Sequence, residues 1–323
     1  MSLEKTSFIG IDVGATNTKI ALISKQAFIL SRSNFPTKFY QDKIALIKKI
    51  LNEIHKILKP YKPSAKHIGG IGIGLPGLID HSKGIVFSLT NIPGWKDVPL
   101  KRILERRLNL PVFIDNDVNV ICLGEYLYGA GKGSRNVIAV SLGTGIGGGI
   151  IINGSLYRGA SFSAGEIGHI MINENGPRCG CGRFGCLESY VGNYAIIRTA
   201  KEKLKKKTSK ILKELTGGNF KNLTPEYLNL AARRGDSLAI EVWEDVGRYL
   251  GIGLSAIVNL LNPDRIVICG GVSKAGNLLL KPVLESLKEY SLDVPFRAVG
   301  IVFSKLGDDA GVIGASCLVN QGG

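Results

Sequence analysis

The stretch Ile9-Gly10-Ile11-Asp12-Val13-Gly14-Ala15-Thr16-Asn17-Thr18-Lys19 places an acidic residue at the end of an apolar strand. A tight turn of small and hydroxyl residues then leads into a second strand-like run. Backbone N–H groups and threonine hydroxyls in such a turn can bind phosphate oxygens, and Asp12 is placed to hold Mg²⁺ directly or through water. The spacing matches neither the P-loop motif nor Gly-x-Gly-x-x-Gly before a helix, which disfavours both of those folds.

Two further glycine-rich turns follow apolar strands. Gly143, Thr144 and Gly145 repeat the strand–turn–strand order in the second half, and Gly270-Gly271 follows the strand Arg265–Cys269. Any one turn alone is more typical of ordinary positive-φ turn chemistry, but the first two together favour phosphate sites. The third turn would let an adenine or a ribose approach the backbone closely, and it is equally compatible with a plain strand-to-helix turn.

Strand and helix patterns alternate along the rest of the chain. In the first half we predict strands at 7–13, 18–24, 27–36, 67–75 and 112–115, with helices at 41–58 and from Leu100. In the second half we predict strands at 136–142, 149–152 and 265–269, a helical stretch at 190–261 and a small-residue helix at 308–318. Two α/β lobes facing a cleft are the simplest account of this order.

The composition indicates a globular chain of two ordinary domains, since 323 residues with 45% apolar character allow each its own core. No apolar run approaches the roughly 20 residues that span a bilayer, and residues 1–6 lead into a strand without a signal sequence. We therefore expect a cytoplasmic protein with no membrane partner.

The net charge of +15 favours anionic ligands such as nucleotides, and by itself it is also compatible with nucleic-acid binding. Much of the charge lies in residues 201–213, where Leu204, Ile211 and Leu212 have roughly helical spacing and predict a solvated helix face. Because no zinc-finger, RRM or KH signature accompanies the charge, we expect no nucleic-acid partner.

A cluster of polar side chains, Asp115-Asn116-Asp117-Val118-Asn119, ends the strand predicted at 112–115. This is where α/β folds place ligand-binding groups. Phosphoryl transfer needs a carboxylate that accepts the hydroxyl proton, so Asp117 is the candidate base and Asn116 a candidate sugar partner. The commoner alternative is that Asp115 or Asp117 merely caps the following helix.

The cysteines divide into two kinds. Cys122, Cys269 and Cys317 lie singly in apolar surroundings, which is typical of small buried side chains. Three others cluster within eight residues, downstream of a histidine, and these four predict a closed tetrahedral zinc site: His169, Cys179, Cys181 and Cys186. A closed set leaves no position for water, so the zinc is expected to be structural. Free thiols or another metal are the alternatives.

Two carboxylates flank this cysteine segment. Glu166 and Glu188 are either ordinary surface charges or acceptors for sugar hydroxyls. Zinc would fix the loops that carry them, so that they could bind a sugar at little ordering cost.

Six motifs together resemble the ROK (repressor, ORF, kinase) family, and they span nearly the whole chain. They are Asp12-Val-Gly-Ala-Thr-Asn-Thr-Lys19, Leu75-Pro-Gly77, Asn116-Asp-Val-Asn119, Leu142-Gly-Thr-Gly-Ile-Gly-Gly-Gly149, Glu166-Ile-Gly-His169 and Cys179-Gly-Cys-Gly-Arg-Phe-Gly-Cys-Leu-Glu188. Ala15 stands where many relatives have glycine. It adds only a methyl group, so ATP binding is expected to be intact.

The resemblance implies a two-lobed actin-like ATPase (ribonuclease H-like) α/β fold with its active site in the interlobe cleft, and an ATP-dependent hexose kinase with Asp117 as the catalytic base. We expect a smaller lobe at 1–118 and a larger lobe at 119–307. The C-terminal helix at 308–323 is a candidate to pack on the smaller lobe. The sugar-binding positions that the resemblance implies are Gly77, Asn91, Asn116, Asp117, Glu166, His169 and Glu188. The nucleotide-binding positions are Asp12, Gly14, Ala15, Thr16, Asn17, Thr18, Lys19, Gly143, Thr144, Gly145, Gly270 and Gly271.

Within the family the pattern is most similar to glucose-phosphorylating kinases of bacteria, whose product is glucose 6-phosphate. Other substrates stay open: N-acetylglucosamine, N-acetylmannosamine, fructose, mannose or allose. The main alternative of another class is a sugar-sensing repressor. We do not favour it, because the first strand begins at Ser7 and Asp117 is present. Family members are commonly dimers or tetramers, so we expect a homodimer or homotetramer.

Overall fold

The computed structural model describes residues 7–40, 42–61, 67–90 and 92–321. Packing divides the chain into two compact units. The first unit consists of Met1–Ala139, Gly149–Ala164 and Ser304–Gly323, and the second consists of Val140–Gly148 and Gly165–Phe303. The lobe boundary expected at residue 118 stays a prediction.

The strands match the predicted apolar runs closely. They are β1 (Ser7–Val13), β2 (Asn17–Ser24), β3 (Ile29–Pro36), β4 (Ile68–Leu75), β5 (Gly77–Asp80), β6 (Ile85–Leu89), β7 (Val112–Asn116), β8 (Val137–Leu142), β9 (Ile146–Ile152), β10 (Ser155–Leu156), β11 (Arg265–Cys269) and β12 (Gly300–Phe303). The strands β1 and β11 have the predicted bounds, and β5, β6, β10 and β12 lie outside the predicted set.

The helices lie between these strands and in the long stretch predicted to be helical. They are α1 (Lys43–Leu58), α2 (Leu100–Leu108), α3 (Asp117–Tyr128), α4 (Glu188–Val191), α5 (Asn193–Leu204), α6 (Lys210–Leu215), α7 (Pro225–Arg233), α8 (Ser237–Leu261), α9 (Asn277–Tyr290), α10 (Asp293–Ala298) and α11 (Ala310–Gln321). Among the described residues, no helix is both long enough and apolar enough to cross a membrane.

The sheet of the first unit has the order β3-β2-β1-β4-β7. The central strand β1 is buried along nearly its whole length, pairs antiparallel with β2 and runs parallel to β4, which in turn runs parallel to β7. A continuous apolar run such as that of β1 is typical of a strand covered on both faces. The edge strand β3 alternates between more and less exposed positions, as expected for a strand with one solvated face.

The helix α1 covers one face of this sheet. Its N-terminus is capped by Asp42, whose carboxylate accepts a hydrogen bond from the backbone N–H of Ala45 at 3.0 Å. Leu46, Ile50 and Ile54 are buried at intervals of four residues and pack into the core of the sheet. The amphipathic helix predicted at 41–58 is therefore confirmed for its described residues; Gln41 lies outside them.

The C-terminal helix α11 packs on β1, β4 and α3 at very close range. A Cβ atom on Gly72 would lie 1.7 Å from the carbonyl oxygen of Ala315, and one on Gly314 would lie 1.7 Å from that of Val120. The small residues that mark this helix in the sequence are therefore required by the close backbone approach. The predicted helix is confirmed, and it contacts the elements of the first unit.

The second sheet has the order β10-β9-β8-β11-β12, and β11 runs parallel to β12. The helices α8 and α9 make an extensive contact within the second unit. Glycines of α8 allow it: Cβ atoms on Gly247 and Gly251 would lie 2.4 Å and 2.6 Å from side-chain atoms of Pro282 and Ser286.

The Lys-rich segment 201–213 is not one continuous helix, which corrects the sequence interpretation. The helix α5 ends at Leu204, and α6 begins after Ser209, whose hydroxyl accepts from the N–H of Leu212 and donates to Asp236 at 2.5 Å. Residues that prefer local side-chain hydrogen bonds start helices in this way. Part of the charge is also neutralised locally, since Lys203 pairs with Asp245 of α8 at 2.8 Å.

Candidate functional site

The first unit brings two predicted carboxylates to the same edge of its sheet. Asp12 at the end of β1 is level with Gly74 of β4, which is level with Asp115 of β7. These strands run parallel, so their carboxyl ends lie together, and two strand spacings separate Asp12 from Asp115 by about 10 Å. Asp117 follows two residues later as the first residue of α3. The predicted magnesium ligand and the predicted base therefore belong to one edge of one sheet.

The helix α3 is capped by Asn116, and the alternative that Asp115 or Asp117 is the cap is wrong. The Oδ1 atom of Asn116 accepts from the N–H groups of Val118 at 2.8 Å and Asn119 at 3.4 Å. Its Nδ2 atom donates to the carbonyl oxygen of Gly77 at 3.3 Å. The cap therefore fixes Asn116 between the helix and β5, and leaves the carboxylate of Asp117 in the first helical turn.

Asp115 has a structural partner that the sequence analysis missed. Its carboxylate is buried, accepts from Arg158 Nε at 2.8 Å and from Asn119 Nδ2 at 2.8 Å, and lies 2.8 Å from Arg158 Nη2. These bonds engage both oxygens of the buried carboxylate, so it is committed to a structural ion pair. Asp115 thus ties the strand end to the segment that carries Arg158, and Asp117 remains as the carboxylate of the pair with few partners.

The two remaining carboxylates have raised pKa values. Burial and, second to it, the negative charge of Asp12 raise the pKa of Asp117 to about 7, against hydrogen bonds to the carboxylate that lower it. Burial raises the pKa of Asp12 to about 6, opposed by the nearby charge of Lys19. Asp12 also lies against α11, where a Cβ on Gly311 would be 2.3 Å from Asp12 Oδ2. A carboxylate with a pKa near neutral is suited to accept a proton in catalysis.

The first glycine turn presents only part of its predicted set to solvent. Ala15, Thr16 and Asn17 are exposed, and the N–H of Gly14 closes the turn on the carbonyl of Asn17 at 3.0 Å.

The last two residues of this turn have other contacts. The hydroxyl of Thr18 is buried and lies 2.8 Å from that of Thr37. Lys19 Nζ donates to the carbonyl oxygen of Asp308 at 2.6 Å. The candidate phosphate contacts of this turn are therefore centred on residues 14–17.

Gly77 requires glycine on steric grounds. Its φ angle is 145°, and a Cβ would lie 2.2 Å from the carbonyl oxygen of Ser88 across the β5–β6 hairpin. Any side chain at Gly77 would displace the carbonyl that holds Asn116. Asn91, also predicted to contact the sugar, lies outside the described residues.

In the second unit, two glycine turns meet at the ends of neighbouring strands. Gly143 follows β8 and Gly270 follows β11, and these strands are adjacent in the sheet. Gly270 has φ of 84°, and a Cβ there would lie 2.3 Å from the carbonyl of Leu142. The N–H of Gly143 donates to the carbonyl oxygen of Gly145 at 3.0 Å. The N–H groups of Thr144 and Gly145 themselves donate to no group in the described ranges. Such free N–H groups suit an anion.

The predicted metal ligands come together in the second unit. One ligand atom from each of His169, Cys179, Cys181 and Cys186 lies within 4.8 Å of all the others. The sulfurs of Cys181 and Cys186 are 3.7 Å apart, and Cys179 Sγ lies 3.8 Å from His169 Nδ1. Thiolates bound tetrahedrally at about 2.3 Å from zinc lie roughly 3.8 Å from one another. The donor set and its spacing therefore fit zinc, with Nδ1 as the histidine ligand.

The two flanking glutamates differ in their surroundings. The carboxylate of Glu166 is largely exposed and lies 3.9 Å from His169 Nε2, the nitrogen that faces away from Cys179. Glu188 is half-buried; its Oε2 accepts from the N–H of Ile146 at 2.9 Å, and its Oε1 lies 3.6 Å from Cys179 Sγ.

A cavity of about 390 Å³ adjoins this region of the second unit. Its size is within the range of small-molecule sites. Its lining includes the predicted residues Thr144 and Glu188 together with Arg178, Tyr194 and Arg198, which the sequence analysis missed. Tyr194 and Arg198 lie on α5, whereas Arg178 directly precedes Cys179, and no local sequence pattern marks any of the three.

Comparison with known proteins agrees with this geometry. The ROK family model matches residues 8–322. The chain is 40% identical over 317 residues to a glucokinase of Halalkalibacterium halodurans. The aligned region covers 97% of this chain and 95% of that protein.

Two solved structures also resemble the chain. One is a ROK family glucokinase from Streptomyces griseus in complex with glucose and AMPPNP, with a TM-score of 0.84 and 33% identity over 98% of this chain and 99% of that one. The other is a ROK family transcriptional regulator, a homologue of the E. coli MLC protein, with a TM-score of 0.88 and 28% identity over 98% of this chain and 78% of that one. The predicted α/β fold of the two-lobed actin-like ATPase class is thereby confirmed. The chain belongs to the ROK family.

Proposed function

We propose that this chain is an ATP-dependent glucokinase, which transfers the γ-phosphoryl group of ATP to the 6-hydroxyl of glucose and releases ADP and glucose 6-phosphate. The observation that carries the proposal is Asp117, a half-buried carboxylate at the start of α3 whose pKa is raised to about 7. Its setting in a chain that is 33–40% identical to glucokinases supports the reaction and the substrate.

In the proposed step, the 6-hydroxyl donates a hydrogen bond to Asp117 and passes its proton to that carboxylate as the oxygen attacks the γ-phosphorus. The bond from that phosphorus to the bridging oxygen of ADP breaks, and ADP leaves with the electron pair. Phosphoryl transfer needs little covalent help beyond this positioning and charge stabilisation. A base with a pKa near neutral is ionised in a large fraction of molecules and can still bind the proton.

The sugar is held by hydrogen-bonding groups whose positions the fold fixes. Asn116 is locked by its helix cap and by Gly77, and Glu188 by the N–H of Ile146. Glu166 has a largely exposed carboxylate 3.9 Å from His169 Nε2, and we assign both groups to sugar hydroxyls. Groups held in this way lose little entropy when the sugar binds.

The nucleotide is held by backbone groups of the glycine turns at 14–17, 143–145 and 270–271, and Asp12 holds Mg²⁺ directly or through water. When bound there, Mg²⁺ would supply positive charge beside the phosphates.

His169, Cys179, Cys181 and Cys186 would hold a structural zinc ion. The closed set of three thiolates and one imidazole supports a structural role, because it leaves no coordination position for water or substrate. The ion would fix the loops that carry Glu166 and Glu188.

A coupled ADP-release assay tests the proposal. The substrate panel is glucose, mannose, fructose, allose, N-acetylglucosamine and N-acetylmannosamine, with Mg²⁺ and ATP. We expect the highest kcat/KM for glucose. Sugars that differ from it at C2 are discriminated by the partners that the protein offers to the hydroxyl or acetamido group on that carbon. Comparable rates for every sugar, or no rate with glucose, would overturn the glucokinase assignment.

A sugar-sensing regulator is the second candidate, and the similarity to a ROK family transcriptional regulator favours it. Such a protein would bind glucose without releasing ADP. Calorimetry with glucose beside the ADP-release assay separates the two: sugar binding without turnover would favour the regulator.

The cellular setting follows from the proposed reaction. We propose a cytoplasmic enzyme that acts on small molecules without a nucleic-acid partner and assembles as a homodimer or homotetramer. Light scattering on the purified protein measures the assembly directly, and a monomer across the micromolar range would contradict this part of the proposal.

A further inference from the structure

One carboxylate in the second unit contacts both the cysteine–histidine cluster and the glycine turn at 143–145. Glu188 is the first residue of α4 and lies two positions after Cys186. Its Oε1 is 3.6 Å from Cys179 Sγ, and its Oε2 accepts from the N–H of Ile146 at 2.9 Å. The side chain therefore bridges the metal cluster and the first residue after the turn.

On the side of the turn, Glu188 accepts the hydrogen bond of a buried backbone N–H group. Ile146 is buried with 4% exposure, and its N–H donates to Glu188 Oε2. A buried N–H without a partner is costly, so loss of this bond would loosen the end of the turn. Gly145 fits tightly over the carboxylate, because a Cβ there would lie 2.4 Å from Glu188 Oε2.

On the side of the cluster, the position of Glu188 depends on a glycine-rich loop. Gly180 and Gly182 have open space where a Cβ would stand, and this part of the loop is closed by its own backbone hydrogen bonds, from the N–H of Cys179 to Arg183 at 2.7 Å and from the N–H of Gly182 to Cys179 at 2.9 Å. The cluster joins Cys179, Cys181 and Cys186 to His169, and an ion bound there would fix the backbone up to two residues before Glu188. Without it, the thiols and the imidazole supply only weak mutual contacts.

We propose that Glu188 is a positioning residue that couples occupancy of the metal cluster to nucleotide affinity, by holding the turn at 143–145 through the N–H of Ile146. This inference rests on the proposed function, because it takes that turn as part of the ATP site. Zinc loading then tightens nucleotide binding even when no sugar is present, and by linkage the nucleotide tightens zinc retention by the same factor.

The first test measures binding of a fluorescent AMPPNP analogue, with Mg²⁺ and without sugar, to zinc-loaded and zinc-stripped protein. We expect zinc removal to raise the dissociation constant of the wild type by about 5- to 150-fold, the usual range of such coupling. The reciprocal measurement follows zinc release to a competing chelator with and without the nucleotide, and should give the same factor.

Variants separate a positioning role from a general structural one. Glu188→Ala should weaken nucleotide binding in the zinc-loaded protein and remove the effect of zinc. Glu188→Gln should restore most of the affinity, because the amide oxygen can still accept from Ile146. Glu174→Gln is the matched control: this glutamate is exposed in the segment between His169 and Cys179, so nucleotide affinity should be unchanged.

A substitution on the other side of the contact keeps the test independent of the folding of Glu188 variants. Gly145→Ala should displace the carboxylate and weaken nucleotide binding, and its effect should not add to that of Glu188→Ala. Gly143→Ala, where a Cβ meets nothing within 4 Å, should be additive with Glu188→Ala.

Amide hydrogen exchange at Ile146 measures the hydrogen bond between its N–H and Glu188 in the absence of nucleotide. We expect faster exchange after zinc removal and in Glu188→Ala. Equal nucleotide affinity with and without zinc, together with unchanged exchange at Ile146, would overturn the coupling and leave the kinase proposal standing. No nucleotide binding by the zinc-loaded wild type would overturn both.

Discussion

The negative charge of Asp12 acts on Asp117: after burial, it is the main cause that raises the pKa of Asp117 to about 7. The two residues stand at the carboxyl ends of β1 and β7, with β4 between them. The same sheet edge therefore supplies a candidate magnesium ligand and tunes the candidate base.

This relationship predicts the pH dependence of the reaction. The base must be ionised, so kcat/KM for glucose should rise with pH and level off above about 7, since this ratio reports the free enzyme. Asp12→Asn should move the rising limb to lower pH, because it removes the like charge, while also lowering the maximum. A rising limb at the same pH in wild type and Asp12→Asn would contradict the coupling of the two carboxylates.

The raised pKa also predicts a cost in stability. A carboxyl whose folded pKa is raised from 3.8 to about 7 stabilises the fold below about pH 4, and this stabilisation is lost as the pH rises through 7. Asp117→Asn should therefore raise the free energy of unfolding at pH 8 by on the order of 1 kcal/mol, and by less at pH 5.5. Denaturant unfolding at both pH values measures the difference. Asp97→Asn, at an exposed position, should change neither value.

We predict a large effect on stability at Glu125, which lies in α3 eight positions after Asp117. Its carboxylate is fully buried and accepts from Ser304 Oγ at 2.5 Å and from the N–H groups of Ala130 at 2.7 Å, Leu306 at 2.9 Å and Lys305 at 3.2 Å. Glu125→Ala would leave these donors without a partner, so we expect a loss of about 3 kcal/mol. Calorimetric melting should show a fall of several degrees, whereas Glu244→Ala, at an exposed position of α8, should melt like the wild type.

We predict that a change in the metal cluster lowers both the zinc content of the protein and its affinity for the sugar. Cys181→Ser removes one of four ligands, so the zinc content should fall well below one ion per chain and the dissociation constant for glucose should rise. Elemental analysis and calorimetry measure the two quantities. Cys122→Ala removes a thiol outside the cluster and should keep the full zinc content. A wild-type protein purified without zinc supplementation and containing another metal, or none, would contradict the assignment.

Apolar runs and glycine turns predicted much of the fold, because β1 and β11 are buried strands bounded by residues that end strands. The cysteine cluster was also predictable, since its ligands are close in sequence and have metal-binding chemistry.

The remaining contacts join residues far apart in the chain and follow no period. Arg158 reaches Asp115 across 43 positions, and Ser304 reaches Glu125 across 179. The break at Ser209 depends likewise on Asp236, 27 positions away. Periodicity and propensity describe neighbours along the chain, so such pairs become visible only once the sheets are assembled.

The most direct test compares wild type and Asp117→Asn for glucose 6-phosphate formation at saturating ATP and glucose, with glucose binding measured by calorimetry. We expect the variant to bind glucose with an affinity near that of the wild type and to lose about 10²-fold or more in kcat, the usual effect of removing a general base. Turnover near the wild-type value would contradict the assignment of Asp117 as the base.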